Sequence, residues 1–231
     1  MLIDLGFHMS SADPSMFYVQ IREHLLVLMV HVDDFGITGD SPKLIVLYKP
    51  KLNNHHVLME LGPVNWLLGI KVTWDQKAQT ILLSQMGYIK SILAHFSLTD
   101  AKAHATPMVP TVIYSKDNSP KNQVEAAHMC KVPYQEMIGS LMYTAITTHP
   151  DITFTVSILS QFLDNPREVH WEGVKRIFHY LSSMKDRMLT YGEERHELLG
   201  YTDMDGASQL HHQAIFSYTF FIDGGAVSWS S

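Results

Sequence analysis

Short apolar runs separated by turn signals fill the beginning of the chain, a pattern typical of antiparallel strands. Residues 16–21 are rich in aromatic and β-branched side chains and follow an Asp-Pro-Ser turn at 13–15, so they predict a strand. Residues 25–30 form the longest apolar run, and a shorter apolar run follows Asp33 and Asp34. The pattern predicts a strand, a tight turn that carries both carboxylates, and a second strand.

Two adjacent carboxylates at such a turn have two interpretations. At the tip of a buried hairpin they need a counter-charge, because desolvating them alone is too costly. A hard divalent cation with oxygen ligands meets that need, and a metal held in this way is the centre of two-metal phosphoryl transfer. The alternative is a solvated Asp-Asp turn between two ordinary strands, since Asp is a common turn residue.

A helix is predicted directly after this hairpin. Ser41 is expected to be its N-cap and Pro42 its first helical residue. Pro50 lies in the interior, where proline removes a hydrogen bond and costs about 3 kcal/mol. The helix is therefore expected to kink or end near Tyr48. Its apolar face is predicted to carry Leu44, Ile45, Leu47 and Leu52.

A second hairpin is predicted from one strand at 66–74 and another at 80–84, with a polar turn between them. Trp66 and Trp74 could stack on nucleic acid, where an aromatic face adds about 1–3 kcal/mol per base. The alternative is that both indoles simply pack against protein. Residues 85–96 then predict a helix, with apolar residues at helical spacing.

Proline and polar residues dominate residues 99–133, which predicts a linker and a domain boundary. Three helices joined by short loops follow and predict a small bundle. They are expected over 134–147, from an Asp151 cap to about residue 163, and onward from an Asn165-Pro166 cap. Lys175 and Arg176 lie on the last helix, where they would contact phosphates of nucleic acid or form a solvated helix face.

The end of the chain predicts three strands, at 198–203, 218–222 and 226–229. A Gly224-Gly225 turn joins the last two, and Asp203 ends the first. Two histidine pairs, His55-His56 and His211-His212, are candidate metal ligands by residue type. Adjacent side chains on a helix or strand point apart, however, so surface histidines are the favoured interpretation.

The sequence Val30-His31-Val32-Asp33-Asp34, followed by Gly39-Asp40, resembles the Tyr-x-Asp-Asp hairpin of reverse transcriptases in the form used by copia-type LTR retrotransposons. Further segments match the same family in order along nearly the whole chain. They are Met59-Glu60-Leu61-Gly62, Leu67-Leu68-Gly69-Ile70, Ile81-Leu82-Leu83-Ser84-Gln85, Thr106-Pro107-Met108, Ile138-Gly139-Ser140-Leu141-Met142-Tyr143, Pro150-Asp151-Ile152, His170-Trp171, Gly200-Tyr201-Thr202-Asp203-Met204-Asp205 and Gly224-Gly225-Ala226-Val227-Ser228-Trp229-Ser230-Ser231.

The resemblance implies an α+β fold. A partial palm with the catalytic hairpin, the primer-grip hairpin and the start of the thumb would occupy residues 1–110. A linker at 111–133 and a helical connection segment at 134–190 would follow, and residues 197–231 would form the first strands of a truncated RNase H-like fold.

The resemblance also implies the functional residues of RNA-directed DNA polymerase. Asp33 would be the principal metal ligand and Asp34 the secondary one, with Mg²⁺ or Mn²⁺ as cofactor. Template-primer and dNTP would be the partners, with association with another element-encoded protein as a further option. Asp203 would be the first RNase H carboxylate, and Lys175 and Arg176 would contact the nucleic-acid backbone. The primer grip would comprise Trp66, Leu67, Leu68 and Gly69.

The same comparison predicts that the chain is inactive alone. The family's remaining palm aspartate and its fingers are expected upstream of residue 1, and the later RNase H carboxylates beyond Ser231. His31 stands where the family has the hairpin tyrosine, which affects primer placement. Two alternatives stay open: a non-catalytic remnant that binds nucleic acid or protein, and a fragment without a stable fold.

Charge and composition constrain this hypothesis. Seventeen basic against 23 acidic residues give a net charge of −6, so the chain lacks the basic excess typical of duplex-binding proteins. One cysteine excludes an internal disulfide and fits a reducing compartment. The start shows no signal peptide, and no apolar run approaches the roughly 20 residues of a membrane span. An intracellular protein, cytoplasmic or nuclear, is expected.

Overall fold

The computed structural model describes residues 2–55, 58–115, 127, 129–192, 197–205 and 215–231. The chain divides into two compact units, one ending at Val64 and the other beginning at Asn65. Both units combine helices with antiparallel sheets. The predicted α+β class is confirmed at this level, whereas its palm, thumb and RNase H assignments and the domain boundaries stay predictions.

The first unit contains a four-stranded antiparallel sheet with its strands in chain order. The strands are β1 (His8–Met9), β2 (Met16–Ile21), β3 (His24–His31) and β4 (Asp34–Gly39). This confirms the predicted strand at 16–21 and the hairpin that follows it. Leu26 and Leu28 of β3 are 0% exposed, since alternation along the strand turns both toward a core that also contains Phe7 and Tyr48.

Helix α1 (Pro42–Asn53) covers this core and begins at Ser41 and Pro42 as predicted. The helix does not end near Tyr48, because it continues through Pro50 to Asn53. Tyr48 and Leu52 are both buried, so packing on either side of Pro50 offsets the hydrogen bond that proline cannot donate. The predicted apolar face is wrong at Leu47, which is half exposed.

The second unit contains a four-stranded antiparallel sheet, again in chain order. Its strands are β5 (Trp66–Leu67), β6 (Ile70–Asp75), β7 (Thr80–Ser84) and β8 (Leu189–Tyr191). The prediction of one strand across 66–74 is wrong. A turn at Leu68 and Gly69 reverses the chain, with positive φ angles of 51° and 77°. Glycine adopts such angles without strain, which allows a two-residue turn here.

Helices form the main core of the second unit. They are α2 (Met86–His95), α3 (Tyr134–Thr147), α4 (Thr153–Ser160) and α5 (Glu168–Met184). The predictions for α2 and α3 are confirmed. Asp151 does not cap α4. It lies in a 3-10 turn, and its carboxylate accepts a 2.6 Å hydrogen bond from the Tyr180 hydroxyl.

The predicted start of α5 at Asn165 is also wrong, because Arg167 occupies the N-cap position. The backbone N–H of Arg167 donates to Nδ1 of His170 at 3.0 Å. His170 is fully buried and stacks on Phe162, with ring centroids 3.9 Å apart. This packing fixes the start of the helix two residues beyond the expected position.

A three-stranded antiparallel sheet ends the chain, in the order β11-β10-β9. Its strands are β9 (Leu199–Asp205), β10 (Ile215–Ile222) and β11 (Gly225–Ser230), which confirms the three predicted strands. The tight turn uses Asp223 and Gly224 instead of Gly224 and Gly225. Trp229 of β11 donates from its indole to the carbonyl of Ala145 at 2.8 Å, which holds the sheet against α3.

Candidate active site

A two-residue turn, Val32-Asp33, joins β3 to β4, and His31 pairs with Asp34 across it. Val32 has a φ of 52°, in the left-handed region that β-branched residues rarely adopt. The turn places Asp33 at the tip and makes Asp34 the first residue of β4. The predicted hairpin therefore does present both carboxylates at one end of the sheet.

Contacts along the hairpin fix the position of this tip. At the opposite end, the Asp40 carboxylate accepts a hydrogen bond from the Leu25 backbone N–H at 3.2 Å and lies 3.2 Å from the His24 ring. Near the tip, the Val30 N–H donates to the Ser15 carbonyl at 2.9 Å. The hairpin is therefore held along its length by sheet pairing and by the core beneath it.

The tip itself is exposed. His31, Val32, Asp33 and Asp34 are all exposed, and the Val32 side chain is 82% exposed. Water can solvate both carboxylates, so they need no cation to offset a desolvation cost. The predicted need for a cation at a buried hairpin tip is therefore wrong, and only the type of donor atom and the resemblance of the hairpin favour a metal here.

Carboxylate oxygens are suitable ligands for Mg²⁺ or Mn²⁺, so the donor type at the tip fits the expected metal. Across the described ranges, however, no group of three or more His, Cys, Asp or Glu side chains could hold a metal ion. Asp33 and Asp34 fit as two ligands of a site that needs further ligands.

The four predicted primer-grip residues form a second exposed tip. Trp66 and Leu67 make up β5, and Leu68 and Gly69 form the turn into β6. The Trp66 indole is 60% exposed, and the Leu68 carbonyl accepts a hydrogen bond from the Tyr143 hydroxyl of α3. Trp74 of β6 is also half exposed. Both indoles thus present faces to solvent instead of packing fully.

Lys175 and Arg176 lie on α5 and make contacts within the chain. Lys175 pairs with Glu172 and lies over the Trp171 ring, 5.5 Å from its centroid. Arg176 donates from Nε and Nη2 to the carbonyl and hydroxyl oxygens of Thr106, at 3.1 and 2.9 Å. These contacts orient both cations.

Asp203 lies in β9, paired with Ser217 of β10, and is exposed. Its carboxylate accepts the N–H of Met204 at 2.9 Å. Of the histidine pairs, His55 is exposed, whereas His56, His211 and His212 lie outside the described residues.

Sequence reasoning missed a pair of histidines beside Arg176. The rings of His104 and His179 stack with centroids 5.2 Å apart and an interplanar angle of 18°. They are separated by many residues in sequence, and His104 falls in the stretch predicted as a linker. The only local signal was that His179 follows Lys175 by four residues, which places both on one side of a helix.

The family model described as reverse transcriptase (RNA-dependent DNA polymerase) matches residues 1–110, which contain the Asp33-Asp34 hairpin. The retrovirus-related Pol polyprotein from transposon TNT 1-94 of Nicotiana tabacum is 36% identical over 222 residues, 95% of this chain. That from transposon RE1 of Arabidopsis thaliana is 32% identical over the whole chain. The chain belongs to the copia-type retrotransposon Pol polyproteins.

This retrotransposon chain spans only 17% and 15% of those two plant polyproteins. A transposon Ty5-1 protein of Saccharomyces cerevisiae is 27% identical over 98% of the chain, and the match covers 72% of that protein. No solved structure matches the chain. Within the part of the chain that the structure describes, no helix is both long and apolar enough to cross a membrane.

Proposed function

We propose that this chain supplies the catalytic hairpin of an RNA-directed DNA polymerase, with Asp33 as principal and Asp34 as secondary metal ligand. The reverse transcriptase match to residues 1–110 carries the proposal, because it contains the hairpin on which both carboxylates lie. The geometry supports it, since both side chains are exposed at the end of a strand pair anchored in a buried core.

When bound, Mg²⁺ or Mn²⁺ would activate the primer 3′ hydroxyl and stabilise charge on the leaving pyrophosphate. The contribution of the chain's own residues is to fix the position of the two metal-binding carboxylates. Leu26 and Leu28 fix β3 in the core, and the His31–Asp34 pair closes the turn. Asp33 and Asp34 thereby present oxygen ligands at the end of a strand pair anchored in the core, and catalysis requires metal ligands in such a defined position.

Template-primer and dNTP are the proposed partners. In this proposal the tip formed by Trp66, Leu67, Leu68 and Gly69 is the primer grip, and its exposed indole stacks on nucleic acid. Lys175 and Arg176 contact the phosphate backbone, although each already has a partner within the chain. In the same proposal, residues 1–110 form the partial palm, the primer grip and the start of the thumb, and residues 134–190 form the connection segment.

We further propose that the chain does not polymerise DNA by itself. The described residues gather no third metal ligand beside the two hairpin carboxylates. Asp203 is proposed as a vestigial RNase H ligand in the strands of 197–231. Because a single carboxylate does not hold a catalytic metal pair, Asp203 by itself is not expected to support RNase H activity.

A non-catalytic remnant that binds nucleic acid or another element-encoded protein is the second candidate. Two observations favour it: the exposed Trp66 and Trp74 indoles, and the cationic side chains on α5. Both features serve binding without requiring a metal centre.

Primer extension tests the catalytic proposal. The chain alone, with Mg²⁺ or Mn²⁺, is expected to give no extension of a primed RNA template. In a chimera, residues 24–40 of this chain replace the matching segment of the Nicotiana tabacum polyprotein. The chimera is expected to extend the primer, and Asp33→Asn within it to abolish extension.

Asp40→Asn within the chimera is the matched control, since Asp40 belongs to the transferred segment and lies at the opposite end of the hairpin from Asp33. Extension by the chain alone that disappears with Asp33→Asn would refute the proposal that the chain does not polymerise DNA by itself. If Asp33→Asn does not reduce primer extension by the chimera, the assignment of this hairpin as the catalytic hairpin is refuted.

A further inference from the structure

Residues 102–106 lie along helix α5 and are tied to it by side chains of the helix. Nδ1 of His179 donates to the Lys102 carbonyl at 2.9 Å, and Ser183 donates to the His104 carbonyl at 3.2 Å. Arg176 holds Thr106 through two hydrogen bonds. This segment therefore has a defined position against α5, and it places His104 over His179.

A cavity of about 260 Å³ opens beside this stacked pair. Four of its lining side chains are cationic or can become so, namely His104, Lys175, Arg176 and His179, and Glu172 is the one carboxylate among the lining residues. This excess of positive charge contrasts with the net charge of −6 of the whole chain. Since a water molecule occupies about 30 Å³ in the liquid, the volume holds a phosphate group with part of its hydration shell.

Each cationic side chain has N–H donors left for a ligand after its hydrogen bonds within the chain are counted. Arg176 has five N–H donors, and the two bonds to Thr106 use two of them. His179 donates from Nδ1, so its neutral form has Nε2 unprotonated, and protonation makes Nε2 a donor as well. Lys175 has three N–H donors, of which Glu172 takes one. Charge-assisted bonds of this kind are the ones that bind phosphate oxygens.

We infer that the cavity between residues 102–114 and helix α5 binds a phosphate group, and that it binds more tightly when His104 and His179 are protonated. Arg176 and Lys175 supply the permanent charge. The two imidazoles supply charge that depends on pH. This site extends the proposed phosphate contact of Lys175 and Arg176 and needs no metal at the Asp33-Asp34 hairpin. The phosphate is that of a nucleic-acid backbone or a free phosphate ion.

The direction of the pH dependence follows from the groups around His104. Burial and the nearby charges of Arg176, His179 and Lys102 lower the pKa of His104. The segment itself contributes Lys102, α5 contributes Glu172, Lys175, Arg176 and His179, and Tyr114 also lines the cavity. A bound anion offsets the cationic repulsion, so it favours the protonated imidazoles, and by linkage their protonation strengthens anion binding.

The expected size of the effect follows from histidine titration. Between pH 7.5 and 5.5, the protonated fraction of a histidine with a pKa of about 6.5 rises about tenfold, and that of a histidine with a lower pKa rises more. Because the pKa of His104 is lowered, binding that requires its proton is expected to strengthen at least about tenfold over this range.

The test measures binding of a fluorescein-labelled single-stranded 12-mer oligodeoxynucleotide to the full chain by fluorescence anisotropy at pH 7.5 and 5.5, at one ionic strength. Inorganic sulfate, whose charge is constant across this range, is titrated separately by NMR as the free-ion probe. The variants are His104→Gln with His179→Gln, and Glu172→Gln. His24→Gln is the control, because His24 is an exposed histidine of the first unit and does not line this cavity.

The wild type is expected to bind at least about tenfold more tightly at pH 5.5 than at pH 7.5. The double histidine variant should lose this gain, and His24→Gln should keep it. Glu172→Gln should bind more tightly than wild type at pH 7.5, a result that misfolding cannot imitate. Sulfate binding that depends on His104 and His179 without oligonucleotide binding would support the cavity and identify a free ion as its ligand. A pH gain that survives in the double variant, or absence of binding by both probes, would overturn the inference.

Discussion

Replacing Val32 by glycine is expected to stabilise the catalytic hairpin. Val32 has a φ of 52°, and holding a non-glycine residue in this region costs about 1–3 kcal/mol. Val32 is 82% exposed, so its removal loses little buried apolar area and little of the associated stability. Glycine loses more conformational entropy on folding than valine does, which lowers stability by about 0.5–1 kcal/mol. The difference lies between about 0 and 2.5 kcal/mol, and the middle of each range gives a net stabilisation of about 1 kcal/mol.

Amide hydrogen exchange measures this change locally, which matters because the two units need not unfold together. Protection of β3 amides such as Leu28 is expected to rise about fivefold in Val32→Gly, because 1.4 kcal/mol corresponds to a factor of ten and the net stabilisation is about 1 kcal/mol. Arg22→Gly is the matched control. Arg22 occupies the same place in the β2–β3 turn with a φ of 55°, but it is not β-branched, so its gain should be smaller. Lower protection in Val32→Gly than in wild type would refute the strain argument.

Two further stability changes follow from individual contacts. Gly39→Ala should destabilise the first unit by about 1–3 kcal/mol, because a Cβ would lie 2.6 Å from the Leu25 carbonyl oxygen. Gly36→Ala, which meets only a flexible methionine side chain at 3.3 Å, should cost less in denaturant unfolding. Tyr180→Phe should lower stability near neutral pH by about 1.5–3 kcal/mol by removing a hydrogen bond to the Asp151 carboxylate. Burial raises the pKa of Asp151, but hydrogen bonds from its neighbours outweigh this and lower it. The associated stability is therefore present above the unfolded pKa of about 3.9 and lost as pH falls through the folded value. Thermal unfolding from pH 7 to pH 3 should show a smaller acid-induced loss in Tyr180→Phe, and an unchanged loss would contradict this account.

Much of the local structure was predictable because the apolar pattern and the packing agree. The apolar run at 25–30 predicted the strand that contains the buried Leu26 and Leu28, and helix α3 begins and ends where the sequence places it. The failures occur where one contact outweighs a local preference. Helix α1 continues past Pro50 because Tyr48 and Leu52 are buried on either side of it. Helix α5 begins after Arg167 instead of Asn165, because the Arg167 N–H donates to the buried His170 ring. Such contacts join distant or unsuspected partners, so single-residue propensities do not contain them.

The candidate site was predictable in position but not in environment. The order of apolar and acidic residues placed Asp33 and Asp34 at a turn, which the structure confirms. Their exposure depends on how far the tip extends beyond the rest of the sheet, and alternation along one strand does not determine that. The cavity beside His104 was not predictable either, since it depends on a proline-rich segment lying along α5.

Manganese binding at the hairpin tests the central claim most directly. Mn²⁺ added to the ¹⁵N-labelled chain should broaden the amide signals of residues 31–34 before any others, through weak binding by Asp33 and Asp34. Asp33→Asn should remove this selective broadening, and Asp75→Asn should leave it unchanged. If the signals of 31–34 broaden no earlier than those elsewhere, or broaden equally in Asp33→Asn, the hairpin is not a metal-binding site.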